Sequence, residues 1–84
     1  MSVKILFFAG LREALGVSAE AVELPPAVTS VGALREHLAS RGEHWTALAT
    51  TKNLRAAVNQ NMVSGKAPVV DGDEVAFFPP VTGG

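Results

Sequence analysis

An α+β fold, a mixed sheet with one main helix packed on one face, is what this 84-residue sequence predicts. Three observations carry the expectation. Short runs of β-forming residues with apolar side chains at every second position open and close the chain. A single longer stretch carries apolar residues at helical spacing. Glycine, proline and Asn/Asp clusters separate these segments.

Residues 3–9 (VKILFFA) are short and apolar and read as a strand. Period two puts Val3, Ile5 and Phe7 on one face and Lys4, Leu6 and Phe8 on the other. Residues 10–15 have helical composition, with Gly16 as the stop. Residues 19–24 (AEAVEL) read as a second strand, ended by Pro25 and Pro26. Glu20 and Glu23 fall on opposite faces, which leaves room for a bulge or register change. Thr29 or Ser30 can cap a helix running to Ser40 or Arg41, with Val31, Leu34 and Leu38 as its apolar stripe. Gly32 in its first turn costs up to ~1 kcal/mol relative to alanine, so a close approach is expected there. Gly42 fits the stop position, and residues 45–48 read as a short helical turn. Residues 54–58 form a third strand, Asn59-Gln60-Asn61 a tight turn, and Met62-Val63 a short return strand. Asp71-Gly72-Asp73 is a turn, residues 74–78 (EVAFF) the last strand, and Pro79-Pro80 ends pairing. The order β-α-β-α-(short helix)-β-β-β is that of the β-grasp, or ubiquitin-like, roll. Residues 1–80 make one domain and 81–84 a flexible tail, since no repeat or linker divides the chain.

Composition excludes several classes. A hydrophobic fraction of 48% against 18% charged residues argues against intrinsic disorder. A domain of this size buries roughly 60% of its unfolded surface, a thin core. Seven basic and eight acidic residues leave a net charge of −1, with no basic field for nucleic acid or a membrane surface. Without cysteine there are no disulfides, thiolate metal sites or cysteine nucleophile, and two histidines do not build a zinc site. No apolar run reaches the ~18 residues of a membrane span. The first residues carry no targeting signal, so the expected location is the cytoplasm.

Two features bear on function. The chain ends Val81-Thr82-Gly83-Gly84. A terminal glycine leaves a carboxylate with no side chain beside it, and four extended residues reach up to ~14 Å. Such a tail can thread a narrow channel, while the stiff prolines upstream hold it clear of the sheet. The carboxylate is inert until a partner activates it, for example as an acyl-adenylate. A frayed end is the plain alternative. The second feature is a sheet face. Lys4 and Glu74 mark the wetter strand faces, and those faces also carry Leu6, Phe8, Ala76 and Phe78. Met62 joins them if Val63 points inward. Such a cluster exceeds scattered surface apolarity and points to a protein interface, unless a helix covers it or the strand phase is inverted.

The segment from Asp71 to Gly84 (DGDEVAFFPPVTGG) resembles the C-terminal signature of the molybdopterin synthase small subunit family. Leu6-Phe7-Phe8-Ala9, the Arg12-Glu13 pair and Ala57-Val58-Asn59-Gln60 match as well, so the resemblance covers essentially the whole chain. It implies a sulfur carrier in molybdenum cofactor synthesis, not an enzyme on its own. Gly84 would be adenylated by an ATP-using activating enzyme, with no cofactor bound by this chain. It would then be converted to a thiocarboxylate using a sulfur donor system. The tail would enter the large synthase subunit and donate sulfur to cyclic pyranopterin monophosphate, in a heterotetramer of two large and two small subunits. Gly83 gives the tail its access. The resemblance places Phe8, Met62 and Phe78 at the docking surface, with Leu6, Pro79, Pro80, Val81 and Thr82 beside them. Met62 stands where a leucine is often found, a swap that keeps volume.

Other readings remain at this point. The same carrier chemistry can serve thiamine or another pathway, or protein modification. A noncatalytic β-grasp interaction domain is the third. His37 and His44 have no adjoining nucleophile or paired carboxylate and read as surface histidines. Trp45 is expected in the core. Arg12 and Glu13 either meet a partner or solvate a helix. Gly65-Lys66 lacks the spacing of a phosphate loop.

Overall fold

The computed structural model describes residues 2–79. Five strands form one sheet: β1 (Ser2–Phe7), β2 (Ala19–Glu23), β3 (Arg55–Val58), β4 (Asn61–Val63) and β5 (Glu74–Phe78). Their spatial order is β2-β1-β5-β3-β4. The central β1–β5 pair is parallel, and every other pair is antiparallel. The helices are α1 (Ala9–Leu15), α2 (Val31–Ala39) and α3 (Ala47–Thr50), with a 3₁₀ turn (Glu43–Thr46) leading into α3. This is the β-grasp roll the element order predicts.

One core lies between the sheet and the helices. Val3, Ile5, Phe7, Val75 and Phe77 meet Leu11, Leu15, Leu34, Leu38 and Leu48 there. The alternation is as expected, because a half-covered sheet must turn every second side chain inward. α2 begins at Ser30, whose Oγ accepts the Ala33 amide at 3.1 Å, satisfying one of the helix's free donors. Val31, Leu34 and Leu38 are its buried stripe. Gly32 sits against residue 65: its amide donates to the Gly65 carbonyl at 2.8 Å, and a Cβ would lie 3.1 Å from that oxygen. That is the close approach expected from a glycine in a first helical turn.

Several boundaries differ from expectation. β1 stops at Phe7: Phe8, the residue before α1, is still extended, and the chain turns at Ala9, which takes a φ of 53°. β2 runs unbroken from the Ser2–Glu23 pair to the Leu6–Ala19 pair, so there is no bulge. Glu20 instead lies on the core side at the sheet edge, where Arg41 reaches across to it at 2.6 Å. The turn after β3 is two residues, with Asn59 at φ 50° and Gln60 at φ 71°, the positive values a tight type I′ hairpin requires. Asn61 therefore already belongs to β4. The short helix expected at residues 45–48 is divided between the 3₁₀ turn and α3.

Trp45 is half-buried at the rim of the core rather than inside it. Its ring lies at 71° to that of Phe7 with centroids 5.7 Å apart, and the Arg41 guanidinium carbon lies 4.4 Å from the Trp45 ring centre. Glu20, Arg41 and Trp45 thus form a stack that closes the core's edge.

Candidate functional site: the uncovered sheet face

The turn at Asp71–Asp73 fixes both central strands at one end. Asp71 Oδ1 accepts the Ser2 amide at 2.6 Å, and the Gly72 amide donates to the Ser2 carbonyl at 2.8 Å. Gly72 takes φ 88°, which only glycine adopts cheaply. Asp73 accepts from Asn59 Nδ2 at 3.0 Å and from the Val70 amide at 2.9 Å. Asn59 Oδ1 in turn accepts the Glu74 amide at 3.0 Å. With their starts clamped together, β1 and β5 run parallel toward the end from which the C-terminal residues leave.

On the face away from the helices, strand register builds rows of side chains. The middle row is Leu6, Ala76, Ala57 and Met62, each the Cα partner of the next. The row nearer the tail holds Phe78 with Arg55 as its partner across β3. Phe8 follows β1 there, its ring edge-on to Phe78 with centroids 6.4 Å apart. Lys4 and Glu74 pair in the row at the opposite end. Phe8 is 46% exposed and Met62 57%, whereas Leu6, Phe78 and Pro79 are half-buried. Val63 packs against the core, so Met62 does point outward. Buried residues of all three α-helices belong to the core cluster on the other side. The register and the Phe8–Phe78 ring contact thus bring four of the predicted site residues, Leu6, Phe8, Met62 and Phe78, to the central and tail-end part of this face, while Pro79 directly follows β5. Pro80, Val81, Thr82, Gly83 and Gly84 lie outside the described residues.

Two residues of this face were not expected there as site residues from the sequence. Ala57 is only 7% exposed, yet it stands outside the core cluster. It is the small floor of the outer face between Ala76 and Met62. Arg55 shares that face by period two, a signal the alternation in β3 contained. Arg35 plays a structural part. Its Nε donates to the Leu48 carbonyl and its Nη2 to the Thr51 carbonyl at 3.0 Å, holding the end of α3. His37 is half-buried on α2, and its carbonyl accepts the Ser40 hydroxyl at 2.6 Å. His44 is exposed beside Trp45. Arg12 and Glu13 are exposed on α1. Among the described residues, no cluster of three or more His, Asp or Glu side chains is placed to hold a metal ion. No helix among them is long and apolar enough to cross a membrane.

The profile of the ThiS family matches residues 5–84, nearly the whole chain. The chain belongs to the ThiS family. This ThiS-family chain is 49% identical over 82 residues to the molybdopterin synthase sulfur carrier subunit of Escherichia coli (strain K12), covering 98% of this chain and 99% of that protein. Among solved structures, it resembles a putative molybdopterin converting factor subunit 1 from Pyrococcus furiosus, with a TM-score of 0.79 and 32% identity over 96% of this chain and 99% of that one. SAMP1 from Haloferax volcanii superposes with a TM-score of 0.79 at 25% identity, both chains covered in full. The resemblance to the molybdopterin synthase small subunit family therefore holds along the chain, and the fold is shared with these ubiquitin-like neighbours.

Proposed function

We propose that this chain is the sulfur carrier of molybdopterin synthesis. An ATP-using activating enzyme adenylates the Gly84 carboxylate, so ATP binds there and not on this chain. Adenylation replaces a poor leaving group with a good one, and sulfur from a donor system displaces AMP to leave a thiocarboxylate. The outer sheet face then docks on the large synthase subunit, and residues 81–84 carry the sulfur into that subunit's active site. Cyclic pyranopterin monophosphate takes up the sulfur, two rounds completing the dithiolene. The assembly is a heterotetramer of two large and two small subunits, and the setting is cytoplasmic.

The observation that carries this reading is the near full-length identity to the Escherichia coli carrier subunit. The family match extending to residue 84 supports it, as does the uncovered apolar face beside the strand that leads to the tail. The division of labour is physical. A carrier needs no catalytic pocket, only a rigid docking surface and an arm narrow enough to enter another protein's site.

The test is reconstitution with the large subunit. Deleting Gly84 should abolish molybdopterin formation while melting temperature and association with the large subunit stay unchanged. A variant with a C-terminal extension that still supports synthesis, without the extension being removed, would contradict the tail mechanism. The SAMP1 likeness gives the protein-modifier reading its own outcome: conjugation of Gly84 to protein lysines without transfer to the pterin.

A further inference from the structure

We infer that the free edge of β2 is a self-pairing surface, which takes β2 of a second copy of this chain in antiparallel register about Ala21. The inference stands apart from the carrier reading and from the outer sheet face.

β2 lies at one end of the strand order, and β1 occupies only one of its two sides. The Ser18 carbonyl accepts the Phe7 amide at 2.9 Å, which turns the backbone groups of Ser18 toward β1. Along an antiparallel strand those groups alternate in direction. Glu20 and Val22 therefore bond to β1, while the N–H and C=O groups of Ala19 and Ala21 point away from the sheet. No other described residue hydrogen-bonds to these outward groups. Both alanines are exposed, and their methyl groups are too small to shield the edge. Charged side chains commonly guard such an edge. Here Glu20 is drawn to the core side, where Arg41 holds it at 2.6 Å. β4, at the other edge of the sheet, is only three residues long, the short form that discourages pairing.

The sequence of β2 also says which strand fits it. A two-fold axis at Ala21 sets all five residues of β2 (Ala19–Glu23) against themselves. Ala21 then faces Ala21 of the second copy, each Ala19 faces a Glu23, and each Glu20 faces a Val22. No like charges stand directly opposite one another. An axis one residue nearer the start of the strand would set Glu20 against Glu20. An axis one residue nearer its end would bring Pro25, which has no N–H, opposite Ala19. At the centre, the two Ala21 residues exchange a pair of hydrogen bonds, with their methyl groups side by side on the outer face. The sheet becomes continuous through both copies, and the face carrying Phe8, Met62 and Phe78 stays uncovered. One short strand is a small contact beside the ~1,600 Å² of a standard interface, so the dimer is weak and fills only at high concentration.

The test is sedimentation equilibrium of the full chain from roughly 10 μM to 1 mM, a range that spans weak association. The wild type should pass from monomer to dimer, with amide exchange slowing at Ala19 and Ala21 as concentration rises. Ala21→Pro should leave the melting temperature nearly unchanged, because the fold does not use this N–H, and should raise the dimer dissociation constant at least ~10-fold. Ala21→Lys and Ala21→Glu should each stay monomeric. An equimolar mixture of the two should form a heterodimer, because residue 21 faces itself across the axis. A wild type that stays monomeric throughout would overturn the inference. So would a dimer that Met62→Asp dissolves and Ala21→Lys leaves intact, which would place the contact on the outer face. A dimer strengthened by Ala21→Lys would put residue 21 opposite Glu23 and overturn the register.

Discussion

Two pairs of phenylalanines sit one residue apart and lead opposite lives. Phe7 and Phe77 stack at 6.4 Å with rings 17° from parallel, each 1% exposed beneath the helices. Phe8 and Phe78 also stand 6.4 Å apart, edge-on, on the other side of the sheet, where Phe8 is 46% exposed. The same side-chain type appears in adjacent positions because the pleat turns successive residues to opposite faces. The inner pair stabilises the fold. The outer pair keeps part of its surface in water, and in the proposed function it is the docking partner that covers it. A ring that faces solvent lowers the monomer's solubility, so its placement there calls for a partner.

Substitutions on the two faces should separate stability from binding. The largest effect is expected for Phe77→Ala, which opens a cavity at the centre of the core. A loss of about 3–5 kcal/mol is expected, read by denaturant unfolding. Next comes Met62→Asp, which should leave the melting temperature nearly unchanged but weaken association with the large subunit by about 2 kcal/mol, or ~30-fold. Phe78→Asp sharpens the contrast. Phe78 is half-buried against Phe8, so it should lose binding to a similar degree and also some stability, though less than Phe77→Ala. If Phe78→Asp unfolded the protein as readily as Phe77→Ala, the two faces would not be distinct. Ser30→Ala removes the cap of the helix that covers the inner face. It should cost about 1 kcal/mol without touching binding, a shift of some ~4–8 °C in Tm for a domain of this size. The smallest effect belongs to Arg41→Ala. It breaks a surface ion pair and a contact over Trp45, together about 0.5–1 kcal/mol, and should alter tryptophan fluorescence more than stability.

Much of this architecture was legible in the sequence. Val3, Ile5 and Phe7 alternate with Lys4 and Leu6, and Glu74 to Phe78 repeats the pattern, so both central strands and their phase could be assigned. Val31, Leu34 and Leu38 marked the covering helix, and Gly32 pointed to a close approach whose partner, Gly65, only the fold supplies. The outer apolar face followed from the same alternation, including Met62 once Val63 was placed inward. What resisted reading depends on contacts between distant segments. Glu20 looked like evidence for a bulge because its partner, Arg41, lies 21 residues away beyond a helix. Trp45 looked like a core residue because aromatic content says nothing of which ring Arg41 will cover. Arg35 gave no local sign that it would tie α2 to the end of α3. Arg55 could be placed on the outer face by period two. Which side chains it stands beside needed the register of β3 against β5, which brings it to Phe78 and away from Glu74.

In the proposed function the sheet serves docking and a terminal carboxylate carries the chemistry. The most direct test of that central claim is intact-mass spectrometry of the full chain after incubation with ATP, a molybdopterin-type activating enzyme and a sulfur source. The expected result is a mass gain equal to one exchange of oxygen for sulfur, mapped by fragmentation to Gly84 and lost on transfer to the pterin. No gain, with an activating enzyme shown to work on its own carrier, would contradict the carrier assignment and leave the exposed face as the docking surface of a plain interaction domain.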